Sequence, residues 1–340
     1  MSQLKNFLRF KIAIVFLFLG ISEVEAKVPK VTFKKMWQIS AQIKYQKNEL
    51  GGVSGCSLNG DKIYFAIDDR GNKGVPRVLI LNWDKSKHEL DVKNFRWSNL
   101  NTTKGKILDI EGIAVTDKNK ILLSNEGDLN QKPRQAPEIF MINNQGKRIL
   151  QVALPDKFIP NPSGEQTKGI QNNFGFEGLT LDKEQKKWGA FLEGPLVQDT
   201  SNLWLIEGAL NGSFAVTEQW SYKLPVYEGA GIGLAMGVTD FLYHSSQNLI
   251  VLERGLDLSL QGMKFNSQLC YAEKDSHDKK LKKECFYDFA QDTPLIKEIK
   301  AVANFEGLCW LNEEKTQFLV VSDNNFSKNQ NTLFLLYEIE

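Results

Sequence analysis

The stretch Asn173-Phe174-Gly175-Phe176-Glu177-Gly178-Leu179-Thr180-Leu181 decides how the chain is read, because versions of it return along the sequence. Asp109-Ile110-Glu111-Gly112-Ile113-Ala114-Val115 comes before it, and Asn304-Phe305-Glu306-Gly307-Leu308-Cys309-Trp310 comes after it. Two looser copies are Gly51-Gly52-Val53-Ser54-Gly55-Cys56-Ser57-Leu58 and Gly237-Val238-Thr239-Asp240-Phe241-Leu242. Aligned on the Glu177 position, the copies fall at 54, 111, 177, 240 and 306, spaced by 57, 66, 63 and 66 residues. Such a period marks one supersecondary unit used repeatedly, each burying its apolar face against the next.

Each unit reads as a short Gly-containing strand, a tight turn, a second strand rich in β-formers, then a third and usually a fourth. In the third unit these are residues 176–181, 187–192, 202–207 and 214–224. The last unit has only 305–311, 317–321 and 333–339, while residues 31–43 are β-like and belong to no unit of their own. The N-terminal strand therefore completes the last unit and closes a ring. Four-stranded units around an axis make an all-β propeller, whose edges are short and protected. The expectation is five four-stranded blades. Six, with one degenerate blade in the connections, is the alternative left by the long spacing. No segment keeps a helical period over three turns. The connections 127–137, 155–172 and 227–236 are rich in Gly, Pro, Asn and Gln, and loops on a rigid scaffold are where binding groups gather.

Residues 1–26 read as a secretory signal peptide: Lys5, Arg9 and Lys11, then an apolar run over 12–19, then small residues up to Ala26. The run is too short to span a bilayer. A retained N-terminal anchor is the alternative. The expected mature chain, residues 27–340, is one domain, secreted or periplasmic, monomeric and free of the membrane after cleavage. Removing three bases and two acids turns 42 Lys+Arg and 41 Asp+Glu into 39 and 39. Neutrality and the lack of a basic run argue against nucleic acid as a partner. Of the four cysteines, Cys270 and Cys285 bracket a charged hairpin tip and should pair in an oxidising compartment. Cys56 and Cys309 occupy equivalent places in the first and last units, either bonded or buried as thiols.

In an antiparallel pair the end of the second strand returns beside the start of the first. The second strands end in Asp68-Asp69-Arg70-Gly71, Asn125-Glu126-Gly127-Asp128, Glu193-Gly194-Pro195, Glu253-Arg254-Gly255 and Ser322-Asp323-Asn324-Asn325. Every unit thus delivers polar, mostly acidic groups to one mouth of the ring. Two carboxylates about 5 Å apart repel by roughly 3 kcal/mol at an effective dielectric near 20. Arginines, backbone amides, protonation or a cation must compensate, and an oxygen-rich site suits Ca²⁺. Asp69, Glu111, Glu177, Asp240 and Glu306 are the expected metal ligands; Glu177, Glu306, Arg70 and Arg254 are the expected catalytic residues. Acids in repeat proteins also bond the backbone amides of the next unit, a structural role open to each of them. His88, His244 and His277 share no motif and read as surface or packing residues. Gly52-Val53-Ser54-Gly55-Cys56 has Cys where a nucleophile elbow needs Gly, and no helix follows. HExxH, a P-loop and GxGxxG before a helix are missing; the Gly-rich run 229–233 precedes a strand.

Taken in order, Gly51-Gly52-Val53-Ser54-Gly55, Asp68-Asp69-Arg70-Gly71, Glu111-Gly112-Ile113-Ala114, Ser124-Asn125-Glu126-Gly127, Asn173-Phe174-Gly175-Phe176-Glu177-Gly178-Leu179, Glu193-Gly194-Pro195-Leu196, Leu252-Glu253-Arg254-Gly255, Asn304-Phe305-Glu306-Gly307-Leu308 and Ser322-Asp323-Asn324-Asn325-Phe326 resemble the successive motifs of the phytase-like family, labelled as having the esterase-like activity of phytase. The resemblance implies a secreted or periplasmic β-propeller with phosphoester or ester hydrolase activity on a small-molecule substrate. Cys56 departs from the small or apolar residue expected there. Two functions follow as expectations: a metal-assisted hydrolase of phosphate monoesters or related esters, or a non-catalytic propeller that binds a small molecule, sugar or protein through the same face.

Overall fold

The computed structural model describes residues 28–340 except 42, 46, 47, 71, 102–107, 117–119, 225–233, 260 and 261. The expected signal peptide, Gly71, the Gly-rich run 229–233 and most of the 227–236 connection lie outside the described residues. The chain is all-β. After β1 (Val31–Ile39) come two short strands, β2 (Lys44–Tyr45) and β3 (Asn48–Glu49), which pair with each other. A four-stranded sheet follows, made of β4 (Val53–Asn59), β5 (Lys62–Ile67), β6 (Arg77–Asp84) and β7 (Glu89–Asn99). The next contains β8 (Ile110–Val115), β9 (Ile121–Asn125), β10 (Glu138–Ile142) and β11 (Arg148–Gln151).

The third group is β12 (Phe176–Asp182), β13 (Lys187–Leu192), β14 (Leu203–Ala209) and β15 (Val216–Tyr222). The fourth is β16 (Leu234–Tyr243), β17 (Asn248–Ser259), β18 (Gly262–Asp275) and β19 (Lys280–Asp288). A parallel bridge between Ser221 and Lys280 joins these two groups into one eight-stranded sheet. The last sheet holds β20 (Asn304–Trp310), β21 (Gln317–Asp323), β22 (Thr332–Ile339) and β1, with Val31 opposite Ile339. The N-terminal strand therefore completes the C-terminal sheet. The one α-helix among the described residues, Thr293–Ile299, lies between β19 and β20, with Asp292 capping it by accepting from the Leu295 amide.

The first strands of the groups touch in cyclic order, β4 to β8 to β12 to β16 to β20 and back to β4, which is propeller geometry. The apolar core is divided in the same way. Ile110, Ile113 and Leu123 pack on Ala66 and Val78; Phe176, Leu179 and Trp188 pack on Ala114, Leu122 and Ile139. Phe241 and Leu249 pack on Phe191 and Leu205, Phe305 and Val320 on Leu252 and Leu269, and Trp37, Leu319 and Phe334 on Val53 and Phe65. Each apolar sheet face is covered by the next sheet, so no unit is stable by itself.

Glycine allows the inner strands to lie this close. A Cβ on Gly112 would stand 2.5 Å from the Glu177 carbonyl oxygen, and one on Gly307 2.4 Å from that of Ser54. The ring is also fastened covalently where it closes, because Cys56 on β4 is bonded to Cys309 on β20. A second disulfide, Cys270–Cys285, pins β18 to β19 as expected from the sequence. The β17–β18 hairpin is longer than residues 249–252 and 268–273, with pairing continuing from Arg254–Ser267 to Ser259–Gly262. No helix among the described residues is long and apolar enough to cross a membrane.

Candidate functional site

All five inner ladders shift register at the same level. The shifts fall between Val53 and Cys56, Ile110 and Ile113, Phe176 and Leu179, Val238 and Asp240, and Phe305 and Gly307. A β-bulge carries an extra residue and re-aims its side chain. The re-aimed positions are Ser54, Glu111, Glu177, Thr239 and Glu306. The fourth unit corrects the alignment made on sequence: Val238 faces Glu253 and Asp240 faces Leu252, so Thr239 holds the Glu177 position. Asp240 stands where the other units have Gly55, Gly112, Gly178 and Gly307.

That slot points at the neighbouring strands, and the Asp240 carboxylate works there. Its Oδ2 accepts a 2.7 Å hydrogen bond from the Leu308 amide on β20, and Oδ1 accepts one of 2.8 Å from its neighbour Phe241. The Leu179 amide on β12 donates as well, so the side chain ties three consecutive inner strands. Burial still pushes its carboxyl well above the usual range, opposed by those amides. Asp240 was expected among the metal ligands; its oxygens are instead occupied by backbone amides. Asp69 is likewise engaged elsewhere, in a buried ion pair with Arg77, whose Nη2 donates to the Glu49 carbonyl at 2.6 Å. The residue before it, Asp68, takes the place at the mouth that was expected of Asp69.

A second ring comes from the residues one past the partners of Val53, Ile110, Phe176, Val238 and Phe305 on the second strands. Ile67 faces Val53, Asn125 faces Ile110, Leu192 faces Phe176, Glu253 faces Val238 and Ser322 faces Phe305. The next residues are Asp68, Glu126, Glu193, Arg254 and Asp323. Glu253 itself turns into the sheet, where Tyr222 and Lys283 hold it. The first expectation, that returning strands bring polar groups to one mouth, describes Glu111, Glu126, Glu177, Glu193, Arg254, Glu306 and Asp323.

Within the mouth the charges are shared unevenly. Arg70, left-handed at φ 50°, puts Nη2 2.6 Å from Asp109 Oδ2, 3.7 Å from Glu126 Oε2 and 2.8 Å from Asn173 Oδ1. Arg254 binds Glu306, Glu193 at 2.5 Å and Asn304 at 2.8 Å. Glu126 accepts from the Gly175 amide at 2.8 Å. The side-chain carboxyls of Glu111 and Glu177, residues about nine-tenths buried or more, accept no hydrogen bond from any described residue, although the Glu177 backbone carbonyl accepts from Ser124 Oγ. Ligand oxygens of Asp68, Asp109 and Glu111 lie within 4.8 Å of one another, and so do those of Glu126, Glu177 and Glu193.

Protonation equilibria record the crowding. Burial, then the Asp68 and Glu177 carboxylates, push Glu111 well above the usual range; burial, then Glu193 and Glu126, do the same to Glu177. Burial and the Glu193 carboxylate push Glu126 up to about 8. Glu306 is also pushed up to about 8 by burial, against the pull of Arg254, and Asp323 to about 6 by burial. Asp68 is raised by burial and by Asp109. Eight carboxyls meet two guanidiniums here, and every donor is an oxygen, the set a hard cation requires.

The motifs at this mouth are those matched by the phytase-like family, described as "Esterase-like activity of phytase", over residues 48–326. The chain belongs to the phytase-like family. No curated protein matches it. Among solved structures, the β-1,2-mannobiose phosphorylase from Listeria innocua aligns with a TM-score of 0.49 at 8% identity, covering 90% of this chain and 97% of that one. The catalytic domain of the Coprinopsis cinerea GH62 α-L-arabinofuranosidase gives 0.42 at 10% identity, covering 90% and 97%. The β-propeller domain of the trilobed protease from Pyrococcus furiosus gives 0.30 at 10% identity, covering 84% and 69%.

The mouth contains two residues that the sequence reading did not single out. Asp109 and Asn304 each stand two residues before a site glutamate, and on a strand that spacing returns a side chain to the same face. The period of two was a usable signal. The histidines lie outside the site: His88 and His277 are exposed, and His244 packs on Tyr271.

Proposed function

We propose that this phytase-like chain is a secreted or periplasmic, monomeric five-bladed propeller that hydrolyses phosphate monoesters or related esters of small molecules, assisted by Ca²⁺ among the mouth carboxylates. The observation that carries this reading is the pair Glu111 and Glu177, buried carboxyls without hydrogen-bond partners among the described residues, inside an all-oxygen cluster flanked by two guanidiniums. Unpartnered buried charge is costly, and a divalent cation removes the cost. Asp68, Asp109, Glu111, Glu126, Glu177 and Glu193 would hold it. When bound, the ion would polarise a phosphoryl or carbonyl oxygen.

The protein's own groups do the rest. The side chains of Arg70 and Arg254 are 33% and 19% exposed, so the guanidiniums reach incoming anionic oxygens and offset charge that develops there. Glu306, with a carboxyl pushed up to about 8, gives up its proton and serves as general base for an attacking water as pH rises towards 8. Glu177, which feels the charges of both Glu306 and Arg254, orients the same water. A cleft of about 680 Å³ reaches Asn304 and Asp323 from the side, lined there by Lys264, Phe265 and Asn266, and gives the leaving group a place. The two disulfides fit an oxidising compartment.

A colorimetric assay on phosphate monoesters and carboxylic esters, with and without chelator, tests the proposal on the wild type and on Glu177→Gln. Chelator-sensitive turnover that falls at least about 100-fold in Glu177→Gln is expected. Ligand- or Ca²⁺-induced thermal stabilisation with no turnover on any ester would favour a binding propeller instead.

A further inference from the structure

Six of the mouth carboxyls divide into two groups that share no residue. Asp68, from the end of β5, meets Asp109 and Glu111 from the start of β8; Glu126, from the end of β9, meets Glu177 and Glu193 from β12 and the end of β13. Each group therefore spans the junction of two successive units. A calcium ion takes oxygen ligands at roughly 2.3–2.6 Å, so two ligands of one ion lie at most about 5 Å apart. The ligand oxygens within each group lie close enough together for a single ion to bind all three. Each group also contains one unpartnered buried glutamate, Glu111 in the first and Glu177 in the second. Arg70 stands between the groups, 2.6 Å from Asp109 in one and 3.7 Å from Glu126 in the other.

We propose that the mouth binds two hard divalent cations, one at the junction of the first and second units through Asp68, Asp109 and Glu111, the other at the junction of the second and third through Glu126, Glu177 and Glu193. The division deepens the cation-assisted reading above and rests on it for the chemistry, though not for the binding. Charge favours two ions over one. Fully ionised, with Glu306 and Asp323 included, eight carboxylates and two guanidiniums leave six negative charges. One divalent ion leaves four and two leave two, a residue small enough for the open mouth to screen. The two ions also separate in role. The first joins inner strands β4–β5 to β8, beside Arg70, the more exposed arginine; the second joins β9 to β12–β13, beside Arg254 and the general base Glu306.

Equilibrium dialysis of the mature chain against Ca²⁺ at pH 7.5, with terbium luminescence as a parallel readout, tests the division. Two ions per chain are expected for the wild type, one for Glu111→Gln, one for Glu177→Gln and none for the double substitution. Circular dichroism reports whether each variant is folded. Should a variant fail to fold, wild-type terbium titration still decides, since two sites of different surroundings give two phases and one site gives one. A single ion in the wild type, no ion at all, or the loss of both ions on one substitution would overturn the proposal. One ion with chelator-sensitive turnover would leave the hydrolase reading standing; two ions with no turnover on any ester would end that reading and keep this one.

Discussion

Arg254 Nη2 lies 2.5 Å from Glu193 Oε1, a contact that joins β17 to β13 across the mouth. The same guanidinium binds Glu306 on β20. Removing one partner of a buried ion pair costs about 3–5 kcal/mol, because the other charge is left uncompensated. Arg254→Met should therefore lower the urea midpoint sharply at pH 7.5 and much less at pH 5, where the stranded carboxyls take up protons. Arg254→Lys should recover only part of the loss, since an ammonium cannot reach Glu193, Glu306 and Asn304 as a planar fork does. Equal midpoints for wild type and Arg254→Met would remove Arg254 from this account.

The raised carboxyls fix the sign of the pH dependence. Glu126 and Glu306 keep their protons up to about 8 in the fold, against an ordinary value of 4.5. Between those values the folded chain holds more protons than the unfolded one, so their contribution is complete below about 4.5 and is lost as pH rises towards 8. The chelated protein should melt at a lower temperature at pH 8 than at pH 5.5, by about 1.5 °C for each kcal/mol lost. Adding Ca²⁺ should reverse the loss, with the larger gain at pH 8, because the ion competes with protons for the same oxygens. A melting temperature that rises with pH in chelator contradicts the assignment.

Asp240 should behave as a fastener. Asp240→Ala leaves the amides of Leu308, Phe241 and Leu179 without their acceptor. At about 1–3 kcal/mol for each stranded buried donor, the loss is several kcal/mol. Whatever fraction folds should bind Ca²⁺ as tightly as wild type. Calorimetry that shows weakened binding with unchanged stability would make Asp240 a ligand after all.

The repeat made the architecture readable, because Gly-Leu or Gly-Ile after an acid marks an inner strand wherever it occurs. The closure of the ring by residues 31–39 also followed from counting strands. Finer placement did not follow. Asp240 looks like a homologue of Glu177 because it is the acid nearest the expected spacing, but the bulge in β16 shifts it by one residue into the glycine slot. A shift of one on a strand turns a side chain to the other face. Asp68 and Asp69 were indistinguishable for the same reason: adjacent residues point opposite ways, and only the partner, Arg77, shows which one is turned inward to the core.

The two disulfides should differ in weight. Cys56–Cys309 closes a loop of 253 residues and Cys270–Cys285 one of 15. Chain entropy then assigns about 5 kcal/mol to the first and about 3 kcal/mol to the second. The first also holds β4 against β20, where the ring has no continuous chain across the inner strands, and it lies two and three residues from Ser54 and Glu306. Replacing Cys56 and Cys309 together by Ser should lower the guanidinium midpoint more than the same change at Cys270 and Cys285. It should also weaken Ca²⁺ binding, by loosening β4, against which Asp68 is held through the Gly52 carbonyl, whereas the hairpin variant should bind normally. Equal destabilisation by the two pairs, with binding unchanged in both, would mean that the strand pairing of β1 with β22 closes the ring unaided.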